Sequence, residues 1–200
     1  PRTFGQSMTD VEDTFYTEDR WQNWIGRVAE EELDPENEDS ARLLLNLQDD
    51  AAIAVAKIIN AYDDERLDEE EAIDELAGIR DIVLDDVDLE DEEKRMLVDG
   101  VQTSLVCVFY AAEEFIAAGP AEDGTVEEYV HAAADAEANE DLDAALGYLV
   151  QAGTRIIDGD ELDIALVEDL EYGLVSEWVN GLDSLQSAMS DPEVVEADEE

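Results

Sequence analysis

Two adjacent glutamates, Glu113 and Glu114, lie near the end of the most apolar stretch of this 200-residue chain, GVQTSLVCVFYAAEEFIAAGP at 100–120. Carboxylates held in apolar surroundings serve as general acids and bases in many enzymes. Adjacent residues of an α-helix point about 100° apart, however, so these two cannot face one substrate as an acid–base pair. We therefore expect one of them to pair with an arginine, such as Arg42 or Arg80, or to reach the surface.

A glutamate and the only histidine, Glu128 and His131, have the E-x-x-H spacing that places two ligands on one helix face in di-iron carboxylate bundles. A complete site of that kind needs a second such motif and two further glutamates. Because the chain cannot supply a second histidine, the motif predicts an exposed acidic face and no metal ion.

Two acidic stretches, NAYDDERLDEEE and DGDELD, resemble parts of a calcium-binding EF-hand loop. In the first, Tyr62 stands where an acidic ligand is required and Glu65 where the sharp turn requires glycine. In the second, Leu162 and Asp163 occupy the positions of a ligand and of that glycine. Neither stretch therefore predicts a calcium site, and the first predicts a turn followed by a helix cap at Asp68.

The usual signatures of covalent catalysis are missing from the sequence. It has no G-x-S-x-G motif, no glycine-rich phosphate loop and no Cys–His couple, and its single cysteine, Cys107, is expected to be buried and inert. We predict no catalytic residue, no metal and no cofactor, and we favour a non-enzymatic role. The alternative of a carboxylate-based, metal-dependent enzyme would need a bound metal or a closed pocket lined by Asp49, Asp50 and Glu113.

Three tryptophans are the candidate partner-binding residues. Trp21 and Trp24, three positions apart on a short helix, either anchor that helix to the rest of the protein or form an exposed patch. The second alternative is considered because tryptophan is enriched in binding hot spots. Trp178 lies on an apolar stripe of the last helix, which we expect to be the self-association face of a homodimer.

The elements that hold these residues are predicted to be helices throughout. The stretch at 100–120 is too polar at its start and too acidic at its end for a membrane span, and it is apolar around most of its circumference, as a core helix is. A second such helix is SARLLLNLQDDAAIAVAKIINAY, with Asp34 and Pro35 as its start signal. With amphipathic helices around these two, the sequence predicts an all-α, single-domain bundle of about seven helices with two largely buried central helices.

The amphipathic helices begin at recognisable signals. Asp68 with Glu71, and Thr125 with Glu128, have the spacing of capping boxes. The last helix is expected to run without a break over 162–189.

The expected domain organisation has three parts. Residues 1–16 form a flexible N-terminus, in which 1–7 are interpreted as a remnant of the expression vector because a natural start follows at Met8. The helical domain covers 17–189, and 190–200 form an acidic, disordered tail.

The excess of acid extends over the whole chain. Asp and Glu number 58 against 10 Lys and Arg, the formal net charge is −48, and only Lys57 and Lys94 are lysines. Carboxylates spread along every helix resemble the composition of extreme halophiles, whose cytoplasm holds molar KCl. The sequence shows no basic patch for nucleic-acid phosphates, its first residues do not predict secretion, and one cysteine suits a reducing cytosol. We therefore expect a cytoplasmic protein without direct contact to nucleic acid or membrane.

Three stretches carry a resemblance to a known family, namely FYTEDRWQNWIGRV, DSARLLLNLQDDAAIAVAKIINAYDD and MLVDGVQTSLVCVFYAAEEFI. Together they resemble an uncharacterised family of small acidic archaeal proteins, domain of unknown function 2150, over most of the chain after Met8. The resemblance implies a haloarchaeal, cytoplasmic protein. It brings no activity, ligand or site residue.

The sequence thus favours a non-enzymatic helical protein of a halophilic archaeal cytoplasm, which acts as an adaptor or regulator by binding a protein partner or a second copy of itself. This prediction rests on the missing catalytic equipment and on surplus apolar helix surface. A ribosome- or translation-associated factor is the alternative. Its contacts would need buried aromatic surface as well, because molar salt screens the attraction between charges.

Folding is predicted to depend on salt. In molar KCl the Debye length is about 3 Å, so surface carboxylates hardly repel one another, whereas at about 0.01 M it is about 30 Å and self-repulsion opens the fold. We expect far-UV circular dichroism to show a loss of helicity when KCl is lowered from molar to millimolar concentration. An unchanged spectrum would contradict a halophilic adaptation.

Overall fold

The computed structural model describes residues 15–34 and 36–190, and this part of the chain folds as a bundle of eight α-helices without a strand. The predicted all-α architecture is confirmed, and the additional helix is a short one near the end of the chain. The predictions for residues 1–14, for Pro35 and for 191–200 lie outside the described residues. The helices are α1 (Glu18–Glu30), α2 (Glu38–Asp63), α3 (Glu69–Val83), α4 (Glu92–Ala118), α5 (Val126–Ala138), α6 (Leu142–Ile157), α7 (Ile164–Glu168) and α8 (Leu174–Ser190).

Both predicted capping boxes are present. Asp68 accepts the N–H of Glu71 at 2.8 Å, while the Glu71 carboxylate accepts the N–H of Asp68 at 3.0 Å. Thr125 and Glu128 exchange the same pair of hydrogen bonds, each 3.1 Å long. Each box satisfies two N–H groups at a helix start that would otherwise lack an intrahelical partner, and it thereby fixes where α3 and α5 begin.

The predicted start of α2 at Asp34 is wrong by three residues. Asn37 is the N-cap, and its side-chain oxygen accepts the N–H of Asp39 at 2.9 Å. Asp34 instead accepts the N–H of Glu36 at 3.0 Å and forms a turn ahead of the helix. Because Asp and Asn are equally good caps, their types alone do not distinguish the two positions.

The predicted continuous helix over 162–189 is also wrong, because the chain leaves the helix between α7 and α8. Val175, in the first turn of α8, donates its N–H to the carboxylate of Glu137 on α5 at 3.2 Å. A Cβ atom on Gly173 would lie 2.7 Å from Oε2 of Glu137, so a side chain there would have to displace this carboxylate. One contact at the start of α8 thus comes from a residue 38 positions earlier in the chain, which helical periodicity does not reveal.

The start of the described chain also belongs to the core. Tyr16, the last residue of the N-terminal segment that is expected to be flexible, is 6% exposed. Its ring packs into the same apolar cluster as Trp21 and Ile25 of α1.

Helix α4 lies at the centre of the bundle and contacts α2, α3, α6 and α8. By length and composition alone it is apolar enough to cross a membrane, but half of its most apolar 18-residue window is buried inside the protein. Leu105, Cys107, Val108 and Phe109 are all fully buried, as expected for a core helix. Burial also raises the pKa of the Cys107 thiol and so disfavours its reactive thiolate.

Helix α8 meets α4 without a side chain between the two backbones. A Cβ atom on Gly181 would overlap the carbonyl oxygen of Ser104. The Ser104 hydroxyl donates to Oε1 of Gln48 at 2.7 Å, and Nε2 of Gln48 donates to the Ser184 hydroxyl at 2.9 Å. A buried chain of hydrogen bonds therefore joins α2, α4 and α8, and burial in low dielectric makes each of its bonds costly to lose.

Helix α6 packs closely against α4 and α8 at a second glycine, Gly153. A Cβ atom on Gly153 would overlap the methyl group of Ala111 on α4 and would lie 3.0 Å from Cδ2 of Leu182 on α8. Small residues thus allow α4, α6 and α8 to meet closely along one side of the core.

Replacing Gly181 by alanine is predicted to destabilise the protein by about 3 kcal/mol, because the added methyl group must push two backbones apart. The matched control is Gly26→Ala in α1, where a Cβ atom meets nothing within 4 Å and alanine should gain up to about 1 kcal/mol. Urea unfolding in molar KCl measures both changes. Equal stability of Gly181→Ala and the wild type would contradict the close approach of α4 and α8.

Asp49 lies half-buried beside the same interface, and its carboxylate is hydrogen-bonded to Ser184. Burial is the largest cause of a raised pKa at Asp49, the negative charge of Asp183 raises the pKa further, and the hydrogen bond to Ser184 opposes both. A raised pKa in the folded state means that ionised Asp49 lowers the stability of the fold.

Asp49→Asn is therefore expected to raise the melting temperature at neutral pH. This gain should shrink as the pH falls through the raised pKa of the folded state towards the unfolded value of about 3.9, because the wild-type side chain then becomes protonated as well. Thermal melts in molar KCl between about pH 7 and about pH 4 test this, with the exposed Asp74→Asn as a control for the loss of one charge. A gain that is absent at neutral pH, or that grows in acid, would contradict the prediction.

Candidate functional site

Two of the three candidate partner-binding tryptophans lie in the core. Trp21 is 2% exposed and Trp178 is 7% exposed, so the bundle covers both indole rings. Trp21 anchors α1, which is one of the two alternatives that the sequence left open. The stripe around Trp178 packs against other helices of its own chain, since α8 contacts α2, α4 and α6. The expectation that this stripe is a self-association face is therefore wrong.

Trp24 is half-buried and helps to hold α1 on α2. Its indole N–H donates to Oδ2 of Asp50 at 2.8 Å, and Arg20 donates to both oxygens of the same carboxylate, at 2.7 and 2.5 Å. The guanidinium of Arg27 lies 4.8 Å from the centre of the Trp24 ring, within the range of a cation–π interaction. Three donors compensate the burial of the Asp50 carboxylate. Binding of a partner by Trp24 stays a prediction.

The carboxylates suggested for an enzyme do not converge. Asp50 faces α1, whereas Asp49 faces α8, because neighbouring residues of α2 point about 100° apart. Glu113 faces α3, where its Oε1 accepts a hydrogen bond from Nη1 of Arg80 at 2.5 Å. The expected pairing of a glutamate with Arg80 is confirmed.

The stretches with metal-like spacing form helix ends. Glu128 completes the capping box of α5, and His131 is exposed on the same helix. Glu65 adopts a left-handed conformation, with φ 64°, directly after α2, and Asp68 then caps α3, so the predicted turn and cap are confirmed. Within 15–34 and 36–190, no group of three or more His, Cys, Asp or Glu side chains is placed to hold a metal ion.

A groove of about 580 Å³ lies between α4 and α6, with α3 beside it. We call it the α4–α6 groove, and it is open to solvent along its length. It is lined by Ile73, Tyr110, Glu113, Glu114, Ala117, Asp143, Leu146, Gly147, Val150 and Gln151.

The two walls of the groove repeat one helical spacing. The α4 wall consists of Tyr110, Glu113, Glu114 and Ala117, and the α6 wall begins with Asp143, Leu146, Gly147 and Val150. Both sets lie at positions i, i+3, i+4 and i+7, so each set occupies one helix face. Tyr110 is 44% exposed, and Leu142, one turn before Leu146, is 40% exposed. Ala117 and Gly147 are small and exposed, and a Cβ atom on Gly147 would meet nothing within 4 Å. The groove is therefore a mainly apolar strip, interrupted by Glu113, Glu114 and Asp143, with open space beside Gly147.

Two other clefts differ in character. One, of about 460 Å³, lies beside Leu33, Lys94 and Met96, and the ammonium group of Lys94 is already bound to the carbonyl of Ala29 at 2.8 Å. The other, of about 490 Å³, is predominantly polar and includes Gln102, whose amide donates to two backbone carbonyls at 2.8 and 2.9 Å. Neither has the matched helical faces of the α4–α6 groove.

The residue pattern pointed to Glu113 and Glu114 but not to the groove around them. One signal was present, because Gly147 interrupts the strongly apolar pattern of α6, and an isolated glycine inside a helix often has a packing or functional reason. The pairing of α4 with α6 across the groove depends on tertiary contacts that the spacing in either helix does not contain.

No curated protein and no solved structure is significantly similar to the chain. The sequence model of a family described as an uncharacterised protein conserved in archaea (DUF2150) matches residues 14–198. Because this match covers nearly all of the 200 residues, the chain belongs to that archaeal family, as the resemblance implied.

Proposed function

We propose that this protein is a non-enzymatic adaptor or regulator of a halophilic archaeal cytoplasm, and that it binds another protein through the α4–α6 groove. The observation that carries the proposal is the apolar strip that the fold leaves uncovered between two core-forming helices. The whole chain has 58 acidic residues, and in so acidic a protein a group of apolar side chains left open to solvent supports an interaction surface.

Molar salt makes apolar contact the effective means of recognition. A Debye length of about 3 Å removes attraction between exposed charges that are not in contact. Burial of apolar surface is not weakened by this screening, and it contributes about 25 cal/mol per Å². A partner in such a cytoplasm is therefore held mainly by the apolar surface that it buries.

The shape of the groove favours a protein segment over a small molecule. Sites for small ligands usually enclose most of the ligand surface, whereas the α4–α6 groove is open along its length. Two parallel rows of side chains at i, i+3, i+4 and i+7 offer the surface onto which a further helix packs.

Gly147→Leu tests the proposal without disturbing the core. The new side chain would fill open space in the groove, and leucine in place of a glycine inside a helix should raise stability by up to about 1 kcal/mol. The matched control is Gly26→Leu in α1, which is also an exposed helix glycine with open space around it. Both variants should melt at or above the temperature of the wild type in molar KCl.

The measurement is an affinity capture from a haloarchaeal lysate in molar KCl, with bound proteins quantified by mass spectrometry. The wild type and Gly26→Leu should retain the same stoichiometric partner, and Gly147→Leu should lose it. Retention of that partner by Gly147→Leu, or capture of the bait alone by the wild type, would refute the groove as the binding site.

A further inference from the structure

The rim of the α4–α6 groove carries carboxylates on both walls. Glu114 lies on the α4 side and Asp143 on the α6 side. Glu113 is paired with Arg80, but neither Glu114 nor Asp143 has an ion-pair partner in the part of the chain that the structure describes. Two unpaired acidic groups thus border an apolar strip.

From this arrangement we infer that the occupant of the groove is an amphipathic helix of another protein, whose apolar face is flanked on both sides by arginine or lysine. The inference rests on the proposed function and identifies the chemistry of the partner.

The partner helix needs basic side chains beside its apolar face because binding removes water from the carboxylates of the rim. A helix that covers the groove removes water from the rim, and a carboxylate that loses water without gaining a partner is strongly unfavourable. A basic side chain that contacts Glu114 or Asp143 compensates this loss. Salt screens such a contact pair much less than it screens separated charges, so the pairing remains effective in molar KCl.

Charge also disfavours a second copy of this chain as the occupant, because carboxylates brought into contact at the rim would lack basic partners. The chain has 58 acidic residues against 10 basic ones, so its own helices would bring further carboxylates to the rim. Arginine suits the contact better than lysine, because its guanidinium is more weakly hydrated and binds a carboxylate through two parallel donors. The same choice is visible inside this chain, where Arg20 holds Asp50 through two hydrogen bonds.

The helical form of the occupant follows from the two walls. The matching rows on α4 and α6 form two sides of a three-helix arrangement. The partner helix would be the third helix, and it would come closest at Ala117 and Gly147. Because these two residues are small, the side chains or the backbone of the partner can approach the surfaces of α4 and α6 there. The partner helix should therefore carry apolar residues at i, i+3, i+4 and i+7.

Two synthetic peptides of about 16 residues, the length of α6, test this inference by fluorescence anisotropy in molar KCl. Both carry the same leucine stripe, which is flanked by arginine in the first peptide and by glutamine in the second. The wild-type protein should bind the arginine peptide about tenfold more tightly, a difference of about 1.4 kcal/mol. Gly147→Leu should abolish binding of both peptides, and Gly26→Leu should leave both affinities unchanged.

The role of the rim is tested separately with Glu114→Gln/Asp143→Asn. This variant should lose the preference for arginine while keeping its affinity for the glutamine peptide. Glu127→Gln/Asp135→Asn, which neutralises two exposed carboxylates of α5 outside the groove, should keep the preference and so controls for general acidity.

The outcomes separate the inference from the proposed function. The inference that the partner has basic flanks would be overturned if the two peptides bound equally well, or if the variant with the neutralised rim still preferred the arginine peptide. Either result would leave the groove as an apolar binding site. Binding that Gly147→Leu does not affect, or no binding of either peptide, would overturn the groove as a helix site and the inference with it.

Discussion

The contact between α4 and α8 at Ser104 and Gly181 is the constraint on which the rest of the bundle depends. The two backbones meet with no side chain between them, and the hydroxyl of Ser104 begins a buried hydrogen-bond chain through Gln48 to Ser184. Apolar burial alone would allow the helices to slide past one another. The polar chain favours one register, because sliding the helices past one another would break the hydrogen bonds of Gln48 to Ser104 and Ser184, and buried hydrogen bonds are costly to lose.

The register of α8 on α4 determines which face of α4 is left uncovered by other helices. Helices α8 and α2 pack against one side of α4, and α6 packs closely against it at Gly153. Helix α3 is held on the remaining side of α4 by the ion pair between Arg80 and Glu113. A strip of α4 from Tyr110 to Ala117 is then left between α3 and α6. The α4–α6 groove is thus a consequence of how the core is assembled, since both of its walls are faces of helices that also form the core.

Local sequence signals predicted the parts of the fold that local interactions determine. The capping boxes at Asp68 and Thr125 and the core character of α4 follow from spacing within one segment, and all three are confirmed. The start of α8 contacts Glu137 on α5, and Trp178 is covered because α8 packs on three other helices. Helical periodicity does not reveal distant partners of this kind. For the same reason the sequence contains the groove residues without revealing their arrangement, and the apolar stripe around Trp178 predicts a surface although Trp178 is buried.

Occupation of the α4–α6 groove by a partner protein in the cell can be tested by site-specific photo-crosslinking. The photoreactive residue p-benzoylphenylalanine is placed at Tyr110, inside the groove and 44% exposed, and at Tyr172, outside the groove and 88% exposed. In a haloarchaeal host, irradiation should give one dominant protein adduct at position 110, attached to a helical segment with basic residues, and no such adduct at position 172. The absence of an adduct at position 110, or the same set of adducts at both positions, would contradict the claim.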